Sequence, residues 1–404
     1  MGMTDFLIIG GGVIGMTIAR ELKLRYPDQG VTVLEKEHSP GQHSSGRNSG
    51  VLHSGIYYPP NSLKAKVCGL GAVEMAAYHE EHGLRLDRRG KILVATNEID
   101  APQLDLLEAR AAQNGIQVKR IDAQQLRELE PEARSATGDA LWVPSTSVGS
   151  PVAMMEVLRR EVERLGVRLV CNIAIAKVNA VARTLLLKDG TSFHYGHAIN
   201  AAGLHADRVA HQFESGLRYT LLPFKGIYWK LDPASGIKIN HLIYPAPDLR
   251  VPFLGVHTTT TTDGSTYLGP TAVPAFSREN YHGFKGLELC DLANITAMLA
   301  RQYLGGKDGF RRLAWQEGRR YFKPWFSMAA QAIVPRLRTE HLLPTEKVGI
   351  RAQMVDRQTS RLVNDFLVER GPASTHILNA ISPAWTSAFP FARHICDHFI
   401  ERIN

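Results

Sequence analysis

A glycine-rich turn in the first 35 residues, between a short apolar segment and a helical pattern, limits most strongly how this chain can fold. In the stretch DFLIIGGGVIGMTIARELKLRYPDQGVTVLEKE, Gly10, Gly12 and Gly15 satisfy the pattern G-x-G-x-x-G, and Glu35 ends the next apolar run. Such glycines let the backbone approach a pyrophosphate at a helix N-terminus, and an acid about twenty residues further on accepts hydrogen bonds from a ribose. The stretch therefore predicts a strand–helix–strand unit that binds a dinucleotide.

The length of 404 residues predicts two linked domains, because it exceeds the usual size of one hydrophobic core. Between about residues 220 and 340, the alternation of strand and helix patterns gives way to short apolar runs with hairpin turns. We predict a mixed α/β (α+β) fold, with a Rossmann-like dinucleotide-binding domain and an interrupting antiparallel-sheet substrate domain. The first comprises residues 1–85, 145–220 and 345–404, and the second comprises residues 86–144 and 221–344.

The net charge of +8, from 47 basic and 39 acidic residues, favours a small anionic substrate or an anionic membrane surface as a partner. Nucleic acid is disfavoured because no dense basic block occurs in the sequence. No apolar run is long enough to cross a bilayer, and the first strand pattern begins by Asp5, so we expect a cytoplasmic protein without a signal peptide. The four cysteines lie far apart without a metal-ligand spacing, so we expect no metal.

Several further stretches carry a family resemblance. They are SGRNSGVLHSGIYYPPNSLKAKVC, INAAGLHADR, HLIYPAPD with PFLGVH, GIRAQ and NAISPAWTS. From about Asp5 to Ile403 the chain resembles the D-amino-acid-oxidase superfamily of FAD-dependent enzymes and, within it, the L-2-hydroxyglutarate dehydrogenase/oxidase family. The resemblance implies oxidation of L-2-hydroxyglutarate to 2-oxoglutarate by hydride transfer from Cα to flavin N5. For bacterial members it also implies a quinone or other electron acceptor, and peripheral contact with the inner face of the cell membrane.

Two stretches depart from the pattern of that family. Lys225 stands in PFKG where the family often has arginine, and Ile381 and Trp385 stand in NAISPAWTS where the family has NAPSPAATS. A changed pocket is therefore an open alternative, with another 2-hydroxy acid, an amino acid or glycerol 3-phosphate as the substrate. A protein that keeps FAD only for its stability is an alternative of a different class.

The resemblance also implies which residues bind FAD. The loop after Glu35 passes the pyrophosphate and the ring, where small residues permit close approach and polar residues donate hydrogen bonds. No cysteine or histidine stands in an obvious linking motif, so we expect the FAD to be bound non-covalently. The predicted cofactor-binding residues are Gly10, Gly12, Val13, Ile14, Gly15, Glu35, Ser45, Arg47, Asn48, Ser49, Gly50, Ala201, Gly203, Gly349, Ser382, Pro383 and Ala384.

Two histidines are candidates for the catalytic base. Removal of a hydroxyl proton at neutral pH suits a neutral imidazole, because the reference pKa of histidine lies near 6.5. His53 is the first candidate, and His257 in LGVH is its rival or a substrate-binding partner. A purely structural histidine is the alternative at either position.

A dicarboxylate substrate requires groups that bind its two charges. Lys225 lies in the apolar context LLPFKGIYW, where an unpaired charge is costly, and this favours a functional role. For Lys64 the alternative is a solvated surface charge, and for Tyr244 a place in the core. The predicted substrate-binding residues are Tyr57, Lys64, Lys225, Tyr244 and Arg351.

Overall fold

The computed structural model describes residues 2–249, 253–306 and 309–400. The described residues form ten α-helices and 23 β-strands. The helices are α1 Val13–Arg25, α2 Leu63–Glu81, α3 Ala101–Gln113, α4 Ala123–Leu129, α5 Pro151–Arg164, α6 Ala206–Gln212, α7 Leu289–Gly305, α8 Phe310–Arg320, α9 Lys323–Gln331 and α10 Ala388–Phe399.

Most of the strands are short. They are β1 Gly2–Ile9, β2 Val31–Leu34, β3 Val51–Leu52, β4 Leu86–Asp87, β5 Lys91–Val94, β6 Lys119–Ile121, β7 Ala140–Val143, β8 Ser147–Gly149, β9 Arg168–Val170, β10 Ile175–Asn179, β11 Thr184–Leu187, β12 Ser192–Asn200, β13 Tyr219–Ile227, β14 Trp229–Leu231, β15 Leu242–Pro245, β16 His257–Thr260, β17 Thr266–Gly269, β18 Val273–Pro274, β19 Leu342–Leu343, β20 Val348–Asp356, β21 Arg361–Leu362, β22 Leu367–Gly371 and β23 Ser374–Asn379.

The chain divides into two compact units. Unit 1 comprises Met1–Asn48, Pro151–Pro223 and Arg351–Asn404, and unit 2 comprises Ser49–Ser150 and Phe224–Ile350. Residues 49–85 thus belong to unit 2, whereas the sequence pattern placed them with the first domain. The reason is strand pairing that the local pattern does not reveal. Strand β3 pairs antiparallel with β8, and α2 packs against β3 and β4.

Unit 1 is built on an eight-stranded sheet. Its parallel strands lie in the order β23-β12-β1-β2-β9, and β10, β11 and β22 add antiparallel pairs. Helix α1 connects β1 to β2. The apolar stripe that the sequence pattern predicted on it is buried and comprises Ile14, Ile18, Ala19 and Leu22. The predicted Rossmann-like unit is therefore confirmed.

Unit 2 contains mostly antiparallel sheets. One has the order β15-β5-β7-β6, with β7 antiparallel to both neighbours and β15 parallel to β5, and another has the antiparallel order β16-β17-β14-β19. Strand β5 separates two apolar cores, since Ile92 packs with Phe326 and Ile333, whereas Leu93 packs with Tyr244. The predicted mixed α/β fold is confirmed.

Three consecutive helices of unit 2, α7, α8 and α9, leave many large apolar side chains exposed. Helix α8 packs against both α7 and α9. The exposed side chains, which we call the α7–α9 surface, are Leu289, Tyr303, Leu304, Trp315, Tyr321, Phe322, Trp325 and Met328. Among the described residues, no helix combines the length and apolar character that a membrane crossing needs.

Candidate active site

Two glycines of unit 1 shape the turn between β1 and α1. Gly10 has φ +113°, a conformation that side chains disfavour, and a Cβ there would lie 2.5 Å from the carbonyl oxygen of Ala201. A Cβ at Gly15 would overlap the carbonyl oxygen of Gly10. The turn therefore closes tightly enough for a ligand to approach the backbone, as the glycine pattern predicts.

The N-terminus of α1 offers backbone N–H groups at the end of this turn. Gly12 precedes the helix and has no side chain to cap it, and the N–H of Val13 donates to the Ser45 hydroxyl at 2.8 Å. Ser45 thus links the loop after β2 to the helix N-terminus. Because its hydroxyl oxygen is the acceptor in this bond, its hydroxyl proton points away from Val13. Val13 and Ile14, both predicted cofactor residues, are buried in the first turn of α1.

Glu35 follows β2 directly and is buried, with 7% of its surface exposed. One carboxylate oxygen accepts from the N–H of Gly11 at 2.8 Å, and the other accepts from the N–H of Glu37 at 2.9 Å. Each carboxylate oxygen can accept a second hydrogen bond, so the carboxylate remains able to receive a ribose hydroxyl. Glu35 therefore joins the glycine turn to the loop that follows β2.

We expect Glu35→Gln to weaken FAD binding by about 10- to 100-fold. Hydrogen bonds to a charged acceptor contribute roughly 1.5–3 kcal/mol, and the amide –NH₂ would face one of the two backbone donors. The dissociation constant is measured by FAD titration of the apoprotein. Glu163→Gln, at an exposed carboxylate on α5 of the same unit, is the matched control. An unchanged dissociation constant in Glu35→Gln would count against the predicted role.

The other predicted cofactor residues of this loop form hydrogen bonds mainly within the loop. Arg47 is exposed and donates from Nε to the Gln42 carbonyl at 2.9 Å. Asn48 donates from Nδ2 to the Ser45 carbonyl at 2.8 Å. Ser49 and Gly50 are the first residues of unit 2, where Ser49 Oγ accepts from Val51 N at 3.4 Å.

A second turn of unit 1 lies beside the glycine turn. Ala201 N donates to the Ile9 carbonyl at 2.9 Å, which places the residues after β12 next to the end of β1. The Asn200 side chain, 1% exposed, accepts from Ala202 N at 3.1 Å and donates to Ala206 O at 2.7 Å. Sequence reasoning missed Asn200, although a buried amide at a strand end is a recognisable signal. Gly203, in the left-handed region at φ +53°, begins the helical turn that leads to α6.

The C-terminal candidates lie between β23 and α10. The sequence placed Ser382, Pro383 and Ala384 just before a helix, and the structure begins α10 at Ala388. Ser387 N donates to the Pro383 carbonyl at 3.0 Å, which forms the turn into the helix. The last predicted cofactor residue, Gly349, lies in β20.

The glycine turn, the N-terminus of α1 and Glu35 together fit the pyrophosphate and ribose of FAD. A Cβ would fill the space beside the turn, the helix end supplies N–H donors, and the carboxylate lies at the end of the neighbouring strand. All three features lie in unit 1.

His53 follows β3 in unit 2 and is partly accessible. Its carbonyl oxygen accepts from the buried Cys68 thiol at 3.2 Å. Burial lowers the pKa of His53 to about 3, and repulsion from the cationic forms of Lys91 and His257 contributes. The imidazole is therefore neutral at physiological pH.

His257 begins β16 and is held on two sides. Its Nδ1 donates to the Gly255 carbonyl at 2.9 Å, and its ring stacks on Tyr244 with 3.8 Å between the centroids. Because a carbonyl can only accept, Nδ1 carries the proton and Nε2 holds a lone pair in the neutral ring. Burial lowers the pKa of His257 to about 4, and the charge of Lys91 contributes.

Lys91 is the residue of this region that sequence reasoning missed. It begins β5 and is fully buried, with Nζ 4.5 Å from the centroid of the Tyr57 ring and 5.4 Å from that of Tyr244. A single lysine in the apolar run KILVA is a signal of the same kind as Lys225 in its strand. The structure thus groups His53, Tyr57, Lys91, Tyr244 and His257.

The other predicted substrate ligands have different neighbours. Lys225 is partly buried in β13 and donates from Nζ to Asn280 Oδ1 at 3.2 Å, and burial lowers its pKa. Lys64 is buried in the first turn of α2, with Nζ 5.6 Å from the Tyr58 ring centroid. Arg351 lies in β20, in unit 1.

Sequence comparison places the chain among flavoenzymes. The family model described as FAD dependent oxidoreductase matches residues 5–398. The L-2-hydroxyglutarate dehydrogenase of Escherichia coli strain K12 is 36% identical over 400 residues, which cover 97% of this chain and 92% of that protein. The mitochondrial L-2-hydroxyglutarate dehydrogenase of Homo sapiens is 32% identical over 425 residues, which cover 99% and 89%.

Solved structures of the same fold act on several kinds of substrate. The FAD-bound L-alpha-glycerophosphate oxidase of Mycoplasma pneumoniae matches with a TM-score of 0.75 and 24% identity, over 97% of this chain and 94% of that chain. Glycine oxidase of Geobacillus kaustophilus matches with a TM-score of 0.71 and 17% identity, over 98% and 94%. The predicted family is thereby confirmed: the chain belongs to the FAD-dependent oxidoreductases, in the group whose curated members are named L-2-hydroxyglutarate dehydrogenase.

Proposed function

We propose that this protein oxidises L-2-hydroxyglutarate to 2-oxoglutarate. The observation that carries the proposal is the group of two neutral imidazoles beside a buried lysine in unit 2, in a chain that is 36% identical to a dehydrogenase of that name. An imidazole can take the hydroxyl proton, and a cation can hold a carboxylate. Bound FAD supplies the acceptor for the hydride that leaves Cα.

His53 is the proposed base. It is partly accessible, as a group that touches substrate must be, and its neutral ring offers a lone pair to the hydroxyl proton. A low pKa makes the imidazole a weak base, which suffices where the hydroxyl becomes more acidic as the hydride departs. His257 is proposed to orient the hydroxyl through Nε2, since Gly255 fixes its tautomer.

The second charge of a dicarboxylate requires further ligands. Tyr57, Tyr244, Lys64, Lys225 and Arg351 remain the predicted substrate-binding residues. The first four lie in unit 2, where Lys225 and Lys64 are each at least partly buried. A buried or partly buried cation binds an anion more strongly than a solvated one, because water screens it less.

Anaerobic mixing of the purified flavoprotein with L-2-hydroxyglutarate tests the proposal. We expect the visible flavin band to bleach with the L-hydroxy acid and to persist with D-2-hydroxyglutarate and with D-alanine. Bleaching by glycerol 3-phosphate or an amino acid instead would contradict the proposed substrate. It would point to Trp385 and Lys225, the departures from the family pattern, as residues of a changed pocket.

We further infer that the α7–α9 surface contacts an anionic membrane surface, where a quinone could accept the electrons. Trp315 is 64% exposed and Phe322 61% exposed, and Arg319 lies between two indole rings, 4.1 Å from the Trp325 centroid and 5.5 Å from that of Trp315. The exposed basic residues Arg301, Arg311 and Arg312 lie on the same helices, α7 and α8. Interfacial aromatic rings with adjacent basic residues are typical of peripheral membrane contacts.

The double variant Trp315→Ala/Phe322→Ala should bind vesicles that contain anionic lipid at least about tenfold more weakly than the wild type, because two apolar side chains leave the interface. Co-sedimentation measures the binding, and Val181→Ala, an exposed apolar residue of unit 1, is the control. Flavin reduction by substrate should stay unchanged in both variants. Equal vesicle binding by the double variant and the wild type would refute the inferred contact.

A further inference from the structure

Lys91 places a positive charge in the core of unit 2. Its side chain is 0% exposed, and among the described residues Nζ has no hydrogen-bond acceptor. Lys91 lies on the same side of β5 as Leu93, because side chains alternate along a strand. Leu93 packs with Tyr57 and Tyr244 on that side. An ammonium group buried without a partner is strongly destabilising, so a purely structural role does not explain Lys91.

The aromatic rings around Lys91 compensate only part of this cost. Tyr57 and Tyr244 both present their rings to Nζ, and such cation–π contacts are weaker than the hydration that an ammonium group loses on burial. They satisfy none of the three N–H donors of the ammonium group. The Tyr57 hydroxyl is a second buried donor without an acceptor among the described residues. Two buried hydrogen-bond donors, Lys91 Nζ and the Tyr57 hydroxyl, thus lie on the same side of β5, and an anion can accept from both.

The charge of Lys91 acts on both histidines, which places it beside the proposed proton-transfer groups. It contributes to the lowered pKa of His53 and to that of His257. A 2-hydroxy acid carries its C1 carboxylate on the same carbon as the hydroxyl group. A hydroxyl that reaches the imidazoles therefore brings the C1 carboxylate close to Lys91.

Resting on the proposed oxidation of a 2-hydroxy acid, we propose that Lys91 and the Tyr57 hydroxyl bind the C1 carboxylate of the substrate. The distal carboxylate of the substrate is then bound by other residues. Lys91 thereby determines that the enzyme accepts 2-hydroxy acids rather than simple alcohols. The occupant of this site is a carboxylate, because a 2-hydroxy acid carries that anion on the carbon whose hydroxyl reaches the imidazoles, and its oxygens can accept from both donors.

Binding at this site should depend on pH. Burial lowers the pKa of the Lys91 ammonium from 10.5 to about 7, and the cation is the form that binds a carboxylate. Affinity should therefore be constant below pH 7 and fall as the pH rises above it. The titratable groups that face Lys91 are His53, Tyr57, Cys68, Tyr244 and His257.

Equilibrium binding to the oxidised holoenzyme tests the proposal without turnover. The probes are 2-oxoglutarate and 2-oxobutanoate, which share the C1 carboxylate and differ in the distal one. Binding is followed by the change in flavin absorbance.

We expect Lys91→Met to weaken the binding of both probes by about 100-fold, because a charge-assisted contact is lost. Lys91→Arg, which keeps the charge above pH 7, should lose less than about tenfold and should lose the pH dependence. Lys119→Met, at an exposed position in β6 of the same sheet, should bind as the wild type does.

A stability measurement separates loss of binding from misfolding. The folded pKa lies below the unfolded value, so the buried cation destabilises the folded state fully below pH 7, and less as the pH rises toward 10.5. Lys91→Met should therefore raise the Tm of the holoenzyme below pH 7 while it loses affinity.

Unchanged affinity of Lys91→Met for 2-oxobutanoate would overturn the proposal. A simultaneous loss of affinity for 2-oxoglutarate would then assign Lys91 to the distal carboxylate. Unchanged binding of both probes with slower flavin reduction would instead make Lys91 a base. Failure of the proposed substrate is distinct, because it shows as a wild type that L-2-hydroxyglutarate does not reduce.

Discussion

A Gly15→Ala variant is expected to purify with little or no FAD. The added Cβ would overlap the carbonyl oxygen of Gly10 and lie 3.2 Å from Cγ2 of Ile8. A backbone carbonyl cannot rotate away as a flexible side chain can, and Gly10 is itself confined by the carbonyl of Ala201. Relief of the overlap must therefore open the turn and shift the N-terminus of α1. Overpacking of this kind costs about 1–3 kcal/mol, so we expect FAD affinity to fall by about 5- to 100-fold.

The ratio of bound flavin to protein, followed by FAD titration of the apoprotein, measures this effect. Gly69→Ala is the matched control, because Gly69 lies within α2 and a Cβ there meets nothing within 4 Å. Alanine favours a helix interior over glycine by roughly 0.5–1 kcal/mol, so the control should retain FAD and unfold at a higher temperature. A Gly15→Ala protein that retains a full complement of FAD would show that the turn tolerates a side chain.

The cofactor-binding unit could be predicted from the sequence because its sequence signals are local. The glycine turn, the apolar face of α1 and the acid after β2 fall within residues 5–35, and their spacing reflects contacts between neighbours in the chain. The assignment of residues 49–85 to unit 2 could not be predicted in this way. It depends on the pairing of β3 with β8, a partner nearly a hundred residues away, and no local pattern records that pairing.

Lys91 illustrates the same limit within the candidate site. Its strand could be predicted from the apolar run, but its environment depends on β15, which pairs with β5 from about 150 residues further along the chain. Only that pairing brings Tyr244 beside Lys91, and the stacking on Tyr244 then adds His257. His53 and His257 were predicted as individual residues, whereas their common relation to one buried cation is a property of the fold.

A His53→Asn variant should reduce its flavin about 100- to 10,000-fold more slowly than the wild type when mixed with L-2-hydroxyglutarate, the usual effect of removing a general base. Asparagine keeps a polar side chain of similar size but cannot accept a proton. His282→Asn, the same change at an exposed position of unit 2, should leave the rate unchanged. If His257 were the base instead, His257→Asn would show the larger loss and His53→Asn would chiefly weaken binding.

The pH dependence of kcat/KM is a second, independent test of the role of His53. The lowered pKa of His53, about 3, means that the base is present above that pH and is lost only when the pH falls through it. The wild-type kcat/KM should therefore show no acid limb between pH 5 and 7, where a histidine with an ordinary pKa near 6.5 would titrate. An acid limb near pH 6.5 that disappears in His53→Asn would show that the imidazole has an ordinary pKa and would contradict the lowered pKa of His53. Absence of this limb, together with the slow reduction of His53→Asn, would identify an imidazole that stays neutral over this pH range as the proton acceptor.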